Sequence, residues 1–374
     1  MNEEKAILKK GEEAEFKLRS IYEQYGYRQY KMSKFEEYDF YVRNKDFLIS
    51  DGMITFNDTD GKLLALKPDV TLSIVKNCSD ADELCKLYYS ENVYRRDEGS
   101  RRFREIMQIG LECIGEIDTY HLCEVVTLAA KSLQAITDDY VLDISHMGVV
   151  SGLLDRMNLS DDSKNSVIEC IARKNVHDLR KICEDAMLSD EDTNMLAFVA
   201  STCGGFKEVL EKLKGLPVGA EIKEVIAELS EIGRFLEQMG IGDHVRIDFS
   251  IVNNMNYYSG VVFRGFVRGV PCGVLSGGEY GKLMKKMGRR SGAIGFAIYM
   301  DLLKTLNKDV KKYDVDTVVI YPKTMDACEI ADRIRMLRTG DGSICAQQHV
   351  PKNIRYRRLI QLTDKGFEIY ESND

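Results

Sequence analysis

Residues 85–115 read CKLYYSENVYRRDEGSRRFREIMQIGLECIG, two strand-like runs flanking an arginine-rich loop and closing on Gln108-x-Gly110-x-Glu112. Side chains of a strand alternate faces with period 2, so Gln108, Gly110 and Glu112 share one surface, and Ile109, Leu111 and Cys113 the other. Two hydrogen-bonding side chains on either side of a glycine leave room for a small planar polar ligand. The apolar face would pack on helices behind. The competing reading of this segment alone is a solvated edge strand whose polar face binds nothing.

The chain has 374 residues, 44% of them apolar, enough to bury a large core and to form two or three domains. No stretch approaches the roughly 20 consecutive apolar residues of a membrane span. The opening MNEEKAILKKGEEAEF lacks the apolar centre of a secretory signal, so a cytoplasmic location is expected. The net charge of −8 argues weakly against a protein whose main task is gripping nucleic acid. Ten cysteines are scattered without any CxxC pair, which suits reduced thiols used as small core residues. Five dispersed histidines show no metal-ligand spacing, and no metal is expected.

Outward from residues 85–115, a helix is predicted from about Glu3 to Tyr25, followed by an extended segment. Hairpin strands are predicted between Asp51 and Asp69, with FNDTDGK as the turn. A helix should begin after Pro68-Asp69, and LDISHMGVV should pass from strand to helix. From about Leu159 to Met239 the pattern is helical throughout, with Ile222, Val225, Ile226, Leu229, Ile232 and Leu236 at helical spacing, and it resembles a separate insertion. VRIDFSIV alternates strictly and predicts a half-buried strand with Val245, Ile247, Phe249 and Ile251 inward. The turn NNMN and the strand YYSGVVFRGF come next. Ser276-Gly277-Gly278 should precede a helix, and SGAIGFAIYMDLLKTL should pass from strand to helix. From about Asp314 the composition is that of a compact α/β unit.

Leu66-Lys67-Pro68-Asp69-Val70-Thr71, Tyr94-Arg95-Arg96-Asp97 through Gln108-x-x-x-Glu112, Tyr257-Tyr258-Ser259-Gly260 and Gly277-Gly278-x-Tyr280, in this order, resemble histidyl-tRNA synthetases and their paralogues over roughly residues 1–310. The resemblance implies an α+β fold of the class II aminoacyl-tRNA synthetase type: a mostly antiparallel sheet flanked by helices, dimeric through the class II interface, with a helical insertion near 159–239. Residues 311–374 resemble a truncated part of an anticodon-binding domain.

By the same resemblance Asp69 stands where the family has a carboxylate for the amino acid's α-amino group, with Thr71 beside it. Gln108 and Glu112 match the pair that reads the amino end and the imidazole, and Tyr257 and Tyr258 the tyrosines lining the ring pocket. Arg95 matches the motif 2 arginine that contacts the α-phosphate and is counted with the histidine-binding set. Asn253, Glu279 and Leu302 stand where the family carries arginines. Losing two preorganised charge-stabilising groups would leave roughly 10⁴ to 10⁶-fold less activity if the effects add. Aminoacylation is therefore expected to be absent, and Glu279 is expected to place a negative charge near the polyanion site.

A chain that keeps the amino-acid pocket and loses the nucleotide chemistry resembles the regulatory subunits of ATP phosphoribosyltransferase. That resemblance implies no catalytic residues and no cofactor, L-histidine as ligand, and a short catalytic subunit as partner in a hetero-octamer for the first step of histidine biosynthesis; tRNA is not expected to bind. Two further readings stay open: a divergent histidyl-tRNA synthetase, and a synthetase-like interaction protein with a vestigial pocket. Two positions depart from the family pattern, Ser33 in place of the motif 1 proline and Asp69 in place of a glutamate.

Overall fold

The structure is a computed structural model that describes residues 10–48, 52–78, 84–97, 100–251, 257–303, 312–338, 342–363 and 366–373. Two compact units divide at Leu306, one spanning Lys9–Leu306 and the other including Asn307–Asp374. Among the described residues no helix is long and apolar enough to cross a membrane.

The larger unit opens with helix α1 (Lys10–Gln24), short of the Glu3 start predicted from sequence because the preceding residues lie outside the described set. Gly26, at φ 81°, ends it: Tyr27 N–H reaches back to Tyr22 O at 3.1 Å, a left-handed termination that glycine adopts without strain. Next come β1 (Arg28–Gln29), β2 (Phe35–Glu37), α2 (Tyr38–Arg43), β3 (Thr55–Asn57), β4 (Leu63–Leu66) and α3 (Thr71–Asn77). The predicted hairpin with its FNDTDGK turn is β3 and β4, antiparallel in a three-stranded sheet with β2, and the helix predicted after Asp69 is α3.

Strands β5 (Cys85–Arg96) and β6 (Phe103–Gly115) form the hairpin that the opening stretch implied, in register from Cys85 opposite Ile114 to Arg96 opposite Phe103. Helix α4 (Thr119–Ile136) follows, with Asp118 accepting His121 N–H at 2.9 Å as its cap, then β7 (Tyr140–His146) and α5 (Met147–Asp155).

The insertion consists of α6 (Asp161–Ala172), α7 (Val176–Asp185), α8 (Asp190–Ser201), β8 (Cys203–Gly205), α9 (Phe206–Lys214) and α10 (Ala220–Gln238). Ser160, Asn175 and Ser189 cap the first three helices. The expectation of an all-helical stretch is corrected at β8, which pairs antiparallel with β9 (Val245–Asp248).

A second correction concerns VRIDFSIV, which is a strand only as far as Asp248; Phe249–Ile251 is a 3₁₀ turn. Asp248 Oδ1 accepts Ser250 N–H at 2.9 Å, a side-chain turn that competes with the ladder, and Lys174 Nζ meets Oδ2 at 2.7 Å. Asp248 is therefore buried rather than solvated, against the expected alternation. The predicted turn NNMN lies outside the described residues.

Strands β10 (Val261–Val267) and β11 (Leu275–Glu279), helix α11 (Gly281–Lys286), strand β12 (Gly292–Tyr299) and helix α12 (Met300–Leu303) complete this unit. SGAIGFAIYMDLLKTL passes from strand to helix as expected, whereas the strand expected over YYSGVVFRGF starts only at Val261, and Ser276-Gly277-Gly278, expected to precede a helix, is itself part of β11. The main sheet runs β1-β5-β6-β12-β11-β10-β7-β9-β8 and is antiparallel except at the β1–β5 and β7–β9 pairs. β6 is thus interior, which removes the edge-strand reading of Gln108 and Glu112. Ile109, Leu111 and Cys113 pack with Leu122, Val125 and Ala129 of α4 in the main core behind the sheet. A smaller cluster occupies the front face, built on Leu72, Ile74, Leu87, Val93, Ile114 and Tyr280.

The C-terminal unit has the order β14-β13-β15-β16, with β13 (Val315–Ile320), β14 (Ile344–Gln347), β15 (Tyr356–Thr363), β16 (Gly366–Ser372) and helix α13 (Ala327–Leu337) capped by Asp326. β14 is half-buried along its length. Val319, Ile360 and Leu362 form its core.

Candidate functional site

The front of the main sheet holds a cavity of about 700 Å³, lined by Asp69, Thr71, Arg95, Gln108, Glu112, Tyr257 and Tyr258 among others. All seven residues assigned from sequence therefore meet at one place. Period-2 geometry explains the floor: Gln108, Gly110 and Glu112 of β6 face it, and their neighbours across the register on β12 are Tyr299, Ala297 and Gly295.

Glu112 is the centre of the site. It is 2% exposed, and each carboxylate oxygen takes one hydroxyl: Thr71 Oγ1 donates to Oε1 at 2.7 Å, Tyr280 OH to Oε2 at 2.6 Å. Burial pushes its pKa up to about 8; the two hydroxyl donors act in the opposite direction, and the nearby Asp69 adds to the rise. Gly295 makes the arrangement possible, because a Cβ there would collide with Glu112 Oε2. At Gly110 a Cβ would strike Phe296 O and approach Tyr89 Oη to 2.6 Å, so both glycines keep the floor open.

Asp69 precedes α3 and accepts Leu72 N–H at 2.9 Å, while its second oxygen lies 3.5 Å from Arg95 Nη2. Burial raises its pKa, opposed first by the Arg95 guanidinium and then by the backbone donors of Leu72 and Thr71. Arg95 also donates from Nε to Pro68 O at 2.6 Å, which ties β5 to the entry of α3. Tyr257 sits in an aromatic surround: ring centroids lie 4.8 Å from Tyr258, 5.9 Å from Tyr280 and 6.1 Å from Phe47. Such a chamber offers a carboxylate for a cationic or N–H-bearing group and edge-and-face contacts for a flat ring.

Sequence reasoning missed Tyr280, Tyr89, Phe47 and Gly295 as parts of the site. Tyr280 falls in the Gly277-Gly278-x-Tyr280 motif, to which the resemblance gives no ligand role, and Gly295 becomes legible only from the register of β12 against β6.

The positions read as lost arginines differ from one another. Leu302, on α12, is partly buried against the main core. Asn253 lies outside the described residues. Glu279 corrects the expectation that it faces the polyanion site: its side chain turns to the other face of β11, where Oε2 accepts Val261 N–H at 2.7 Å. Ser276 lines the cavity, and three residues on, the strand alternation puts Glu279 on the opposite side. Burial raises its pKa, the Val261 N–H opposing the rise.

Among the described residues His146, Glu228 and Glu279 bring three ligand-type atoms within 4.8 Å of one another. His146 Nδ1 accepts Gly148 N–H at 3.0 Å, so a neutral ring carries its proton on Nε2, which faces Glu228 Oε2 at 3.3 Å. A metal-bound histidine needs the reverse, a free lone pair on the facing nitrogen and a donor on the other. The group reads as a hydrogen-bonded helix cap.

The histidyl-tRNA synthetase family profile matches residues 5–303. An ATP phosphoribosyltransferase regulatory subunit from Caldanaerobacter subterraneus subsp. tengcongensis is 32% identical over 293 residues, covering 77% of this chain and 76% of that protein. An ATP phosphoribosyltransferase regulatory subunit/histidyl-tRNA synthetase from Bacillus halodurans superposes with a TM-score of 0.78 at 23% identity, covering 94% of this chain and 93% of the other. A chain of the ATP phosphoribosyl transferase (HisG:HisZ) complex from Thermotoga maritima gives a TM-score of 0.61 at 18% identity, over 77% of this chain and 96% of that one. Those two likenesses confirm the class II synthetase-type fold, while the profile and the sequence identity lead to one conclusion: the chain belongs to the histidyl-tRNA synthetase family and, within it, to the ATP phosphoribosyltransferase regulatory subunits.

Proposed function

We propose that this chain is a non-catalytic subunit that binds free L-histidine in the Glu112 cavity and passes that occupancy to a short catalytic subunit of ATP phosphoribosyltransferase, as feedback on the first step of histidine biosynthesis. The observation that carries the reading is the buried Glu112 carboxylate, held by Thr71 and Tyr280 and surrounded by tyrosines, in a chain whose motif 3 arginine position is Leu302, partly buried against the core. A carboxylate so placed satisfies a ring N–H or an ammonium that would otherwise be buried unpaired. Asp69, with Arg95 behind it, and Gln108 supply the remaining polar contacts. The HisG:HisZ complex to which the chain is similar in fold supports a catalytic subunit as partner.

The reading extends to a homodimer through the class II interface, a hetero-octamer with the catalytic subunit, a cytoplasmic location, and no aminoacylation or tRNA binding. A differential affinity worth about 1–3 kcal/mol between two arrangements of the complex is sufficient for useful feedback.

The test combines three measurements on the full-length chain. Histidine at about 100 times its dissociation constant should stabilise the fold by about 2.7 kcal/mol, read as a rise in Tm. Mixing with a short catalytic subunit should give a co-eluting complex whose consumption of ATP falls on adding histidine. Histidine-dependent exchange of pyrophosphate into ATP should be absent. Exchange at ordinary turnover, or histidine leaving both Tm and the complex's rate unchanged, overturns the proposal.

A further inference from the structure

Cys78 follows the last residue of α3, and its N–H closes the final turn on Ile74 O at 2.8 Å. Cys85 opens β5. Their sulfurs stand 3.5 Å apart, both residues are half-buried, and both pack against the front-face cluster that contains Leu72, Ile74, Leu87 and Ile114. Among the described residues no other two cysteine sulfurs meet at hydrogen-bond distance. A disulfide needs a sulfur–sulfur distance of about 2.05 Å, so an approach of about 1.5 Å from the 3.5 Å seen here would bring them to bonding distance.

We propose that Cys78 and Cys85 are a redox-responsive dithiol, and that a low-molecular-weight disulfide of the glutathione class converts them into an intramolecular disulfide that ties the end of α3 to the start of β5. The two thiols differ in the way this chemistry needs. The two sulfurs lie within hydrogen-bond distance and either can donate; with the Cys78 S–H donating and the Arg28 guanidinium nearby, the Cys85 thiol is lowered against the effect of burial. The same hydrogen bond, followed by burial, pushes the Cys78 thiol up. Cys85 is thus the attacking thiolate and Cys78 the resolving thiol.

In the first step the Cys85 thiolate attacks one sulfur of the oxidant, forms a mixed disulfide and expels one thiolate, which takes up a proton. In the second, Cys78 loses its proton and attacks the Cys85 sulfur, releasing the other half of the oxidant as a second thiol. Two protein thiols become one disulfide while one disulfide becomes two thiols, so electrons and protons balance. The cross-link closes residues 78–85. α3 carries Thr71 at its other end, so the bond would fix the element that supplies part of the cavity wall.

The experiment exposes the purified full-length chain to excess oxidised glutathione at pH 7.5, followed by alkylation and peptide mapping by mass spectrometry. The expected result is a 78–85 linkage, two hydrogens lighter than the reduced peptide, with dithiothreitol reversing it. In Cys78→Ser the adduct should stop as glutathione on Cys85, and in Cys85→Ser no adduct should form at Cys78. Exposed Cys203 and Cys328 serve as internal reporters that oxidant was present. If those two acquire glutathione while residues 78 and 85 stay alkylated as free thiols, or if Cys78→Ser leaves Cys85 unmodified, the proposal is overturned.

Discussion

Replacing Glu112 by glutamine isolates the titration of one buried carboxyl, since the amide keeps the shape; its oxygen accepts one of the two hydroxyls and its NH2 donates to the other, which turns to accept. In the folded chain burial holds the proton on this carboxyl up to about pH 8, against 4.5 for an exposed glutamate. The folded state therefore binds more protons than the unfolded state between those values, and stability must fall as pH rises. The contribution is whole below pH 4.5 and is lost as pH rises through 8, with a slope approaching 1.36 kcal/mol per pH unit between them. Between pH 5 and pH 9 this amounts to about 4 kcal/mol. The difference in unfolding free energy between wild type and Glu112→Gln should shrink by that amount over the range, whatever its value at pH 5. Urea unfolding followed by circular dichroism measures it; the chain has no tryptophan, and most of its helices lie in the larger unit. A difference that stays constant within 1 kcal/mol from pH 5 to pH 9 refutes the idea that Glu112 is protonated in the empty cavity. Bound histidine should draw the ionised form, so calorimetry at pH 7 in buffers of different ionisation enthalpy should show about 0.9 proton released from this group, lost in Glu112→Gln.

Gly295→Ala should cost about 1–3 kcal/mol through the collision of its Cβ with the Glu112 carboxylate, and should abolish the histidine-induced rise in Tm. Tyr280→Phe removes a 2.6 Å hydroxyl donor from Glu112 Oε2 and should weaken histidine binding about tenfold at pH 7, measured by calorimetry, while shifting the proton-linked transition to higher pH. Arg95→Met leaves the buried Asp69 without its cation and should lower stability by about 3 kcal/mol in urea unfolding; the double change with Asp69→Asn should recover part of that loss, because the uncompensated charge goes with it.

The polar floor was legible because alternation on β6 is strict and the strand is interior, so Gln108 and Glu112 had to share a face whichever partners flanked them. Helices were legible where apolar residues recur at helical spacing, as Ile222, Ile226, Leu229, Ile232 and Leu236 do along α10. Three features were not. VRIDFSIV kept a perfect alternation past the point where the Asp248 side chain captured Ser250 N–H and stopped the strand; pattern records which side chains are apolar, not which backbone donors have been diverted. Glu279 was placed by correspondence with an arginine near the phosphates, yet the pleat decides which face it meets. Gly295 and Tyr280 entered the site only through the pairing of strands and elements distant in sequence, information that no local window holds.

The helical insertion meets the rest of the larger unit at more places than its two chain connections. β8 is laced into β9, Lys174 grips Asp248 at 2.7 Å, and Glu228 meets His146 on the main sheet. A body joined at two points can still swing about the line between them; further anchors take that hinge axis away. The module therefore behaves as a buttress of the sheet and not as a flap over its front. Amide exchange at Cys203–Gly205 should report this directly, by slowing to the pace of β9 and not to that of the surrounding loops.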